Sequence, residues 1–169
     1  MKPLVYFLIF FLVVPLQASL FDLFSVGGVK PDLALALLYI IGLLSGPVEA
    51  TLAGIAVGLV QDISSASLLG LNGFTRGLFG LAAGFLGRGV LDISSPSNII
   101  FLTGFCAVEG LVIALFLQIF YGDVPFFSMF FTRMLPQALY TGLLGTILLH
   151  FVAGKKAAAL LLRRPLQKE

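Results

Sequence analysis

Residues 30–62 read KPDLALALLYIIGLLSGPVEATLAGIAVGLVQD, and the fold turns on the interruption in the middle of that stretch. An apolar run from Leu33 to Leu44 stops at Ser45, Gly46 and Pro47, then resumes as far as Val60 with Glu49 as its only charge. Gly followed by Pro breaks a helix, and Pro suits the first turn of the next one, so the stretch predicts two helices, 31–44 and 47–60, folded back on each other. Each is about 14 residues, or about 21 Å at 1.5 Å per residue, and so falls short of a 30 Å hydrocarbon core. Glu49 lies in a first helical turn, where free N–H groups and the positive dipole end explain a carboxylate. Counted outward from the break, Asp32 and Asp62 lie about equally far away, roughly 21 to 23 Å of helix. An antiparallel hairpin brings them to the same depth. Lys30, Asp32, Gln61 and Asp62 thus form a candidate polar latch in which Lys30 neutralises either acid. Plain solvation beside a loop and ion transport are the other readings of the same residues.

Outside this stretch the composition is that of a membrane protein. Of 169 residues, 59% are hydrophobic and 11% charged, against about 25% charged in an ordinary soluble domain. With a mean hydropathy of +1.10, the solvent this chain fits is a bilayer. The expected architecture is an all-α integral membrane protein with six transmembrane helices, 4–20, 31–44, 47–60, 72–90, 98–120 and 126–152. The first run follows Lys2 and reads as a retained helix, since small residues do not occupy both positions before a cleavage point. The loop 92–98 contains Ser94, Ser95 and Pro96, a capping pattern for the fifth helix. Six spans put Lys2, Arg88, Lys155, Lys156, Arg163, Arg164 and Lys168 on one side and Lys30, Arg76 and Arg133 on the other. That excess predicts both termini in the cytoplasm. A re-entrant unit made of the second and third helices is the alternative. Residues 1–154 form the transmembrane domain, and 155–169 a basic cytoplasmic tail suited to anionic lipids.

Several functions are excluded by inventory. One Cys and one His cannot build a disulfide framework or a zinc site, and Cys106 and His150 are lone residues. No GxxxxGK[ST] loop is present. The net charge of +2 comes with a basic cluster at the C-terminal flank, which argues for topology rather than nucleic acid. Nothing pairs a nucleophile with a base, so neither an enzyme nor a cofactor is expected.

Two further constellations stand out. Gly73, Gly77, Gly80, Gly84 and Gly87 recur at intervals of 4, 3, 4 and 3, which confines them to about 80° of a helix surface. Ala50, Gly54 and Gly58 make a second narrow face at intervals of four. Such faces let backbones approach closely. They either pack on each other within the chain or leave one for a partner's transmembrane helix. Glu109 falls near the middle of the fifth helix among Leu102, Phe105, Cys106, Ile113 and Phe116. No cation is expected at its depth, so it is predicted to be neutral and hydrogen-bonded to Tyr140 or Thr141. An intramembrane acid is also a functional candidate by default. Phe126, Phe127, Phe130 and Phe131 suit an interfacial aromatic belt, and Arg133 with Pro136 suits a kinked helix start with a snorkelling cation.

The order Lys30-Pro31-Asp32, Gly46-Pro47, Glu49, Gln61-Asp62 and Gly70-Leu71-Asn72 resembles the rod-shape-determining protein MreD family. The resemblance runs over most of residues 4–152 and is densest from Lys30 to Gly84. It implies a non-catalytic scaffold subunit of the bacterial inner membrane, working in lateral cell-wall elongation. The implied partners are the bitopic protein MreC, the RodA/penicillin-binding-protein synthase and, indirectly, MreB filaments. In fold the family looks like the six-helix substrate-binding subunits of energy-coupling-factor transporters, so a vitamin-binding transporter subunit is the alternative function. The thin polar inventory at helix middles, chiefly Glu109, Gln118 and Gln137, disfavours that alternative.

Overall fold

The computed structural model describes residues 28–65, 70–89, 91, 93, 95–122 and 125–162. The predicted first helix, 4–20, and the end of the basic tail lie outside the described residues. Within them the elements are α1 (Leu33–Ser45), α2 (Pro47–Ser65), α3 (Leu71–Gly87), α4 (Asn98–Tyr121), α5 (Phe126–Met129), a π-helical turn (Phe130–Met134) and α6 (Leu135–Leu162).

Helix α1 begins at Leu33, two residues after the expected Pro31, with Asp32 as its N-cap. The Asp32 carboxylate accepts a hydrogen bond from Leu35 N at 2.9 Å, capping a free N–H of the first turn. It ends at Gly46, whose φ of 98° is left-handed backbone that glycine adopts without steric cost. Between these ends, residues from Ala34 to Gly42 are buried almost all round. A helix apolar on every face belongs in the interior. Accordingly, α1 touches α2, α3, α4 and α6.

Helix α2 departs from expectation by running on to Ser65 rather than stopping at residue 60. Gln61 and Asp62 are inside it. Asp62 is no stop signal here because its carboxylate reaches across to the start of α3. It accepts from Gly70 N at 2.9 Å, Asn72 N at 3.2 Å, Asn72 Nδ2 at 2.8 Å and Gly73 N at 3.2 Å. The N-cap residue of α3, Gly70, has no side chain to supply that function. At 19 residues, α2 is about 28 Å long. The expected pair of equally short helices is therefore one short helix followed by a longer one.

The two glycine faces meet. A Cβ on Gly54 would run into the Arg76 carbonyl, one on Gly58 into Asn72, one on Gly80 into the Ala50 carbonyl and one on Gly84 into Pro47. A Cβ on Gly77 would stand 2.8 Å from Ile55 Cγ1 and one on Gly73 3.2 Å from Leu59, whereas one on Gly87 would stand 2.6 Å from Leu43 Cα of α1. Close contact along about three turns, Gly73 to Gly84, makes α2 and α3 the tightest pair in the bundle. Gly42 lets α1 onto the same helix, at Ala83.

At the start of helix α4, Ser95 of the predicted serine pattern accepts from Ser97 N through its Oγ at 3.3 Å, while Ser97 itself makes no side-chain cap bond. The buried Asn98 adds to this start: it donates to Ser95 O at 2.8 Å and Ile93 O at 3.2 Å, and accepts from Tyr39 OH at 2.9 Å. The loop and α1 are thereby tied to the same amide. The kink expected near Pro136 is a π-helical turn, in which Leu135 N donates to Phe130 O, five residues back. Pro136 has no N–H and would crowd the carbonyl four residues before it, at Thr132. A widened turn relieves that crowding.

The surface is inverted relative to a soluble domain. Val48, Leu52 and Ile63 on α2, Phe74 and Phe85 on α3, Ile100 and Ile119 on α4, and Phe151 on α6 are exposed, while Asp62, Arg76, Asn98, Glu109 and Thr141 are buried. Segments 98–120 and 127–154 are long and apolar enough to cross a membrane, and Leu33–Ser45 is a shorter apolar helix. Water does not favour apolar faces of this extent.

Candidate functional site

The polar centre of the molecule forms around Arg76. This residue lies in the second turn of α3, beside the glycine face, and is 3% exposed. Its Nη2 donates to Asp32 Oδ2 in a very short charged contact. Its Nε is 3.2 Å from Glu109 Oε1 of α4, an ion pair without the alignment of a hydrogen bond. Nη1 has no hydrogen-bond partner among the described residues. Asp32 N in turn donates to Thr141 Oγ1 of α6 at 2.8 Å. Four helices thus converge on one guanidinium and two carboxylates.

Each position has a local cause. Asp32 is held at the α1 N-cap by Leu35 N, which aims its second oxygen into the bundle. Arg76 reaches inward because its own helix backbone is pressed against Gly54 of α2, leaving the opposite side open to α1 and α4. Glu109 is one turn beyond buried Cys106, on the inward face of α4. Gly110 beside it admits Met134 of the π-helical turn, 3.3 Å from where a Cβ would stand.

This geometry overturns one premise drawn from the sequence, which gives Glu109 no cation at its depth and counts Arg76 among the charges of the outer side. Arg76 is instead buried beside Glu109. The physical reason is that a lone charge near a bilayer centre costs about 2.5 to 3.5 kcal/mol on insertion scales, so an acid and a base on neighbouring helices gain by meeting. The usable signal is the pairing itself: one cation inside the glycine-rich helix and one acid inside the next. Thr141, the expected partner of Glu109, takes the Asp32 N–H instead.

Of the four latch residues, Asp32 joins the Arg76 cluster and Asp62 caps α3. Lys30 is exposed and Gln61 partly buried. Gly54, Gly58, Gly73, Gly77, Gly80 and Gly84 lie between α2 and α3, and Gly87 lies against α1. Glu49, Arg133 and His150 are exposed. An aromatic layer of Tyr39, Phe79 and Phe105 closes the core beneath the cluster, with centroids 5.9 Å apart for Tyr39 and Phe105 and 5.5 Å for Phe79 and Phe105. The recess they line with Leu35, Leu38, Ala83 and Leu102 is apolar and about 10 Å³ in volume, room for about one water molecule.

A family model described as rod shape-determining protein MreD matches residues 1–154. The chain belongs to the MreD family. Membership carries a role in rod-shape determination and association with the membrane, in keeping with the inverted surface of the bundle. No curated protein and no solved structure matches the chain. The MreD match gives no support to a vitamin-binding transporter subunit.

Proposed function

We propose that this MreD-family chain is a non-catalytic scaffold subunit of the bacterial inner membrane, which binds MreC and helps position the peptidoglycan synthase for lateral wall elongation. It crosses the membrane six times, with both termini in the cytoplasm, and MreB filaments and the RodA/penicillin-binding-protein pair are reached through the same assembly. The observation that carries this reading is the bundle's inversion: apolar side chains outside, and an ionic centre that ties four helices together inside. Such a body is suited to holding a fixed shape in lipid and presenting it to other helices. The glycine faces bear on each other in α2 and α3, so the MreC helix is taken to dock on an outward apolar face and not on the glycine ladder. The basic tail contributes contact with anionic lipid. Affinity purification of the tagged chain from native membranes, with and without MreC expressed, tests the proposal: MreC is expected to co-elute in near-equal amount.

A further inference from the structure

We propose that the Arg76 cluster is a binding site for one proton, carried by Glu109, and that this proton decides which carboxylate Arg76 holds. At this point of the bundle one guanidinium faces two carboxylates, Asp32 and Glu109, so the fully ionised cluster carries one surplus negative charge inside an apolar body. A low-dielectric interior does not retain such a charge when a proton can remove it.

The two acids are not equivalent. Asp32 accepts from Leu35 N through Oδ1 and from Arg76 Nη2 through Oδ2, so both of its oxygens are engaged. Glu109 is more deeply buried, and among the described residues its Oε1 has the 3.2 Å approach of Arg76 Nε without an aligned hydrogen bond. The proton therefore belongs on Glu109. The groups that face it are Asp32 from α1, Arg76 from α3 and Cys106 from its own helix. From α6 comes Tyr140 beside Thr141, while His150 of α6 and Arg133 of the π-helical turn are exposed. On α1, the Tyr39 hydroxyl is engaged with Asn98. α5 carries no titratable side chain.

With Glu109 protonated, Arg76 and Asp32 form a balanced pair that fixes the start of α1 against α3, and through Asp32 N and Thr141 against α6. Loss of the proton makes Glu109 a competitor for the same guanidinium, whose Nε already lies 3.2 Å from it and whose Nη1 has no hydrogen-bond partner among the described residues. Arg76 then shifts toward α4 and its hold on the start of α1 weakens. One proton thus selects between two arrangements of one arginine, a two-state element at the junction of four helices.

The chain has three glutamates, Glu49, Glu109 and Glu169, which makes the test direct. The full chain in lipid nanodiscs, labelled with carboxyl-13C glutamate, is titrated by infrared spectroscopy from about pH 5 to about pH 9. A labelled, protonated carboxyl stretch is expected at neutral pH, absent in Glu109→Gln and retained in Glu49→Gln. Asp32→Asn balances Arg76 against Glu109 alone, and should weaken proton binding by about tenfold or more, moving the titration midpoint down by about one pH unit or more. The wild-type spectrum decides the matter even if a variant fails to fold. No labelled protonated carboxyl at neutral pH, an unmoved midpoint in folded Asp32→Asn, or a signal that responds to sodium ions and not to pH would each overturn the proposal.

Discussion

Replacing Gly80 by Ala adds one methyl group, and the structure says what that methyl would meet. The new Cβ would overlap the carbonyl of Ala50 on α2, with Thr51 N at 3.1 Å. The obstacle is backbone, so no rotamer change relieves it, and α2 and α3 must separate along a contact that continues through Gly54, Gly58 and Gly84. Overpacking of this kind costs about 1 to 3 kcal/mol, and a backbone obstacle belongs at the upper end. Against it stands the helix preference for Ala over Gly, about 0.8 to 1 kcal/mol. The net expectation is a destabilisation of roughly 1 to 2 kcal/mol, about a 5- to 30-fold shift in the folded population. Gly104 supplies the control. It lies in α4, and a Cβ there would have nothing within 4 Å, so Gly104→Ala retains only the favourable term and should be neutral or stabilising by up to about 1 kcal/mol. Thermal unfolding of both variants in detergent, followed by dye-reported exposure, reads the difference as Tm. A Gly80→Ala protein as stable as wild type, or less affected than Gly104→Ala, would refute the packing argument. Accumulation in membranes should fall with stability, and MreC recovered per folded chain should stay constant, because the ladder faces inward.

Other outcomes follow from the same contacts. Arg76→Met leaves Asp32 and the buried Glu109 without their cation and should destabilise by about 3 to 5 kcal/mol, seen as loss of the protein from membranes, whereas Arg76→Lys should recover part of it. Asp62→Asn keeps an acceptor for the α3 N-terminus but removes the charge and one acceptor oxygen, so a loss of about 0.5 to 2 kcal/mol is expected in the same unfolding assay. A cysteine placed at Lys168 should react with an impermeant maleimide only after permeabilisation; reaction in intact spheroplasts would reverse the proposed orientation.

The break at Gly46 and Pro47 is legible in the sequence because backbone chemistry is local: a positive φ and a missing N–H act wherever those residues stand. The glycine stripe is legible for a similar reason, since its periodicity is that of one helix surface. Asp62 reads as a helix stop, wrongly, because its role depends on Gly70 to Gly73, which only the turn between α2 and α3 brings within reach. Arg76 reads as an outer-side charge because nothing local distinguishes an arginine two turns from a membrane surface from one pulled inward. Its partners lie 44 residues before it and 33 after it, and long-range pairing of that kind has no local periodicity. Likewise, a proline-bearing kink is foreseeable at residue 136, whereas the contact of its π-helical turn with Gly110, through Met134, joins positions 24 residues apart.

The central claim is that the chain is a membrane scaffold that holds MreC. Its most direct test is isolation of the tagged chain from native membranes in lipid nanodiscs, followed by quantification of every co-isolated protein and of any bound small molecule. MreC is expected in near-equal amount, depleted when the chain is destabilised by Arg76→Met and unchanged per folded chain in Gly104→Ala. Folded chain that carries no MreC, or that retains a stoichiometric vitamin in its place, would contradict it.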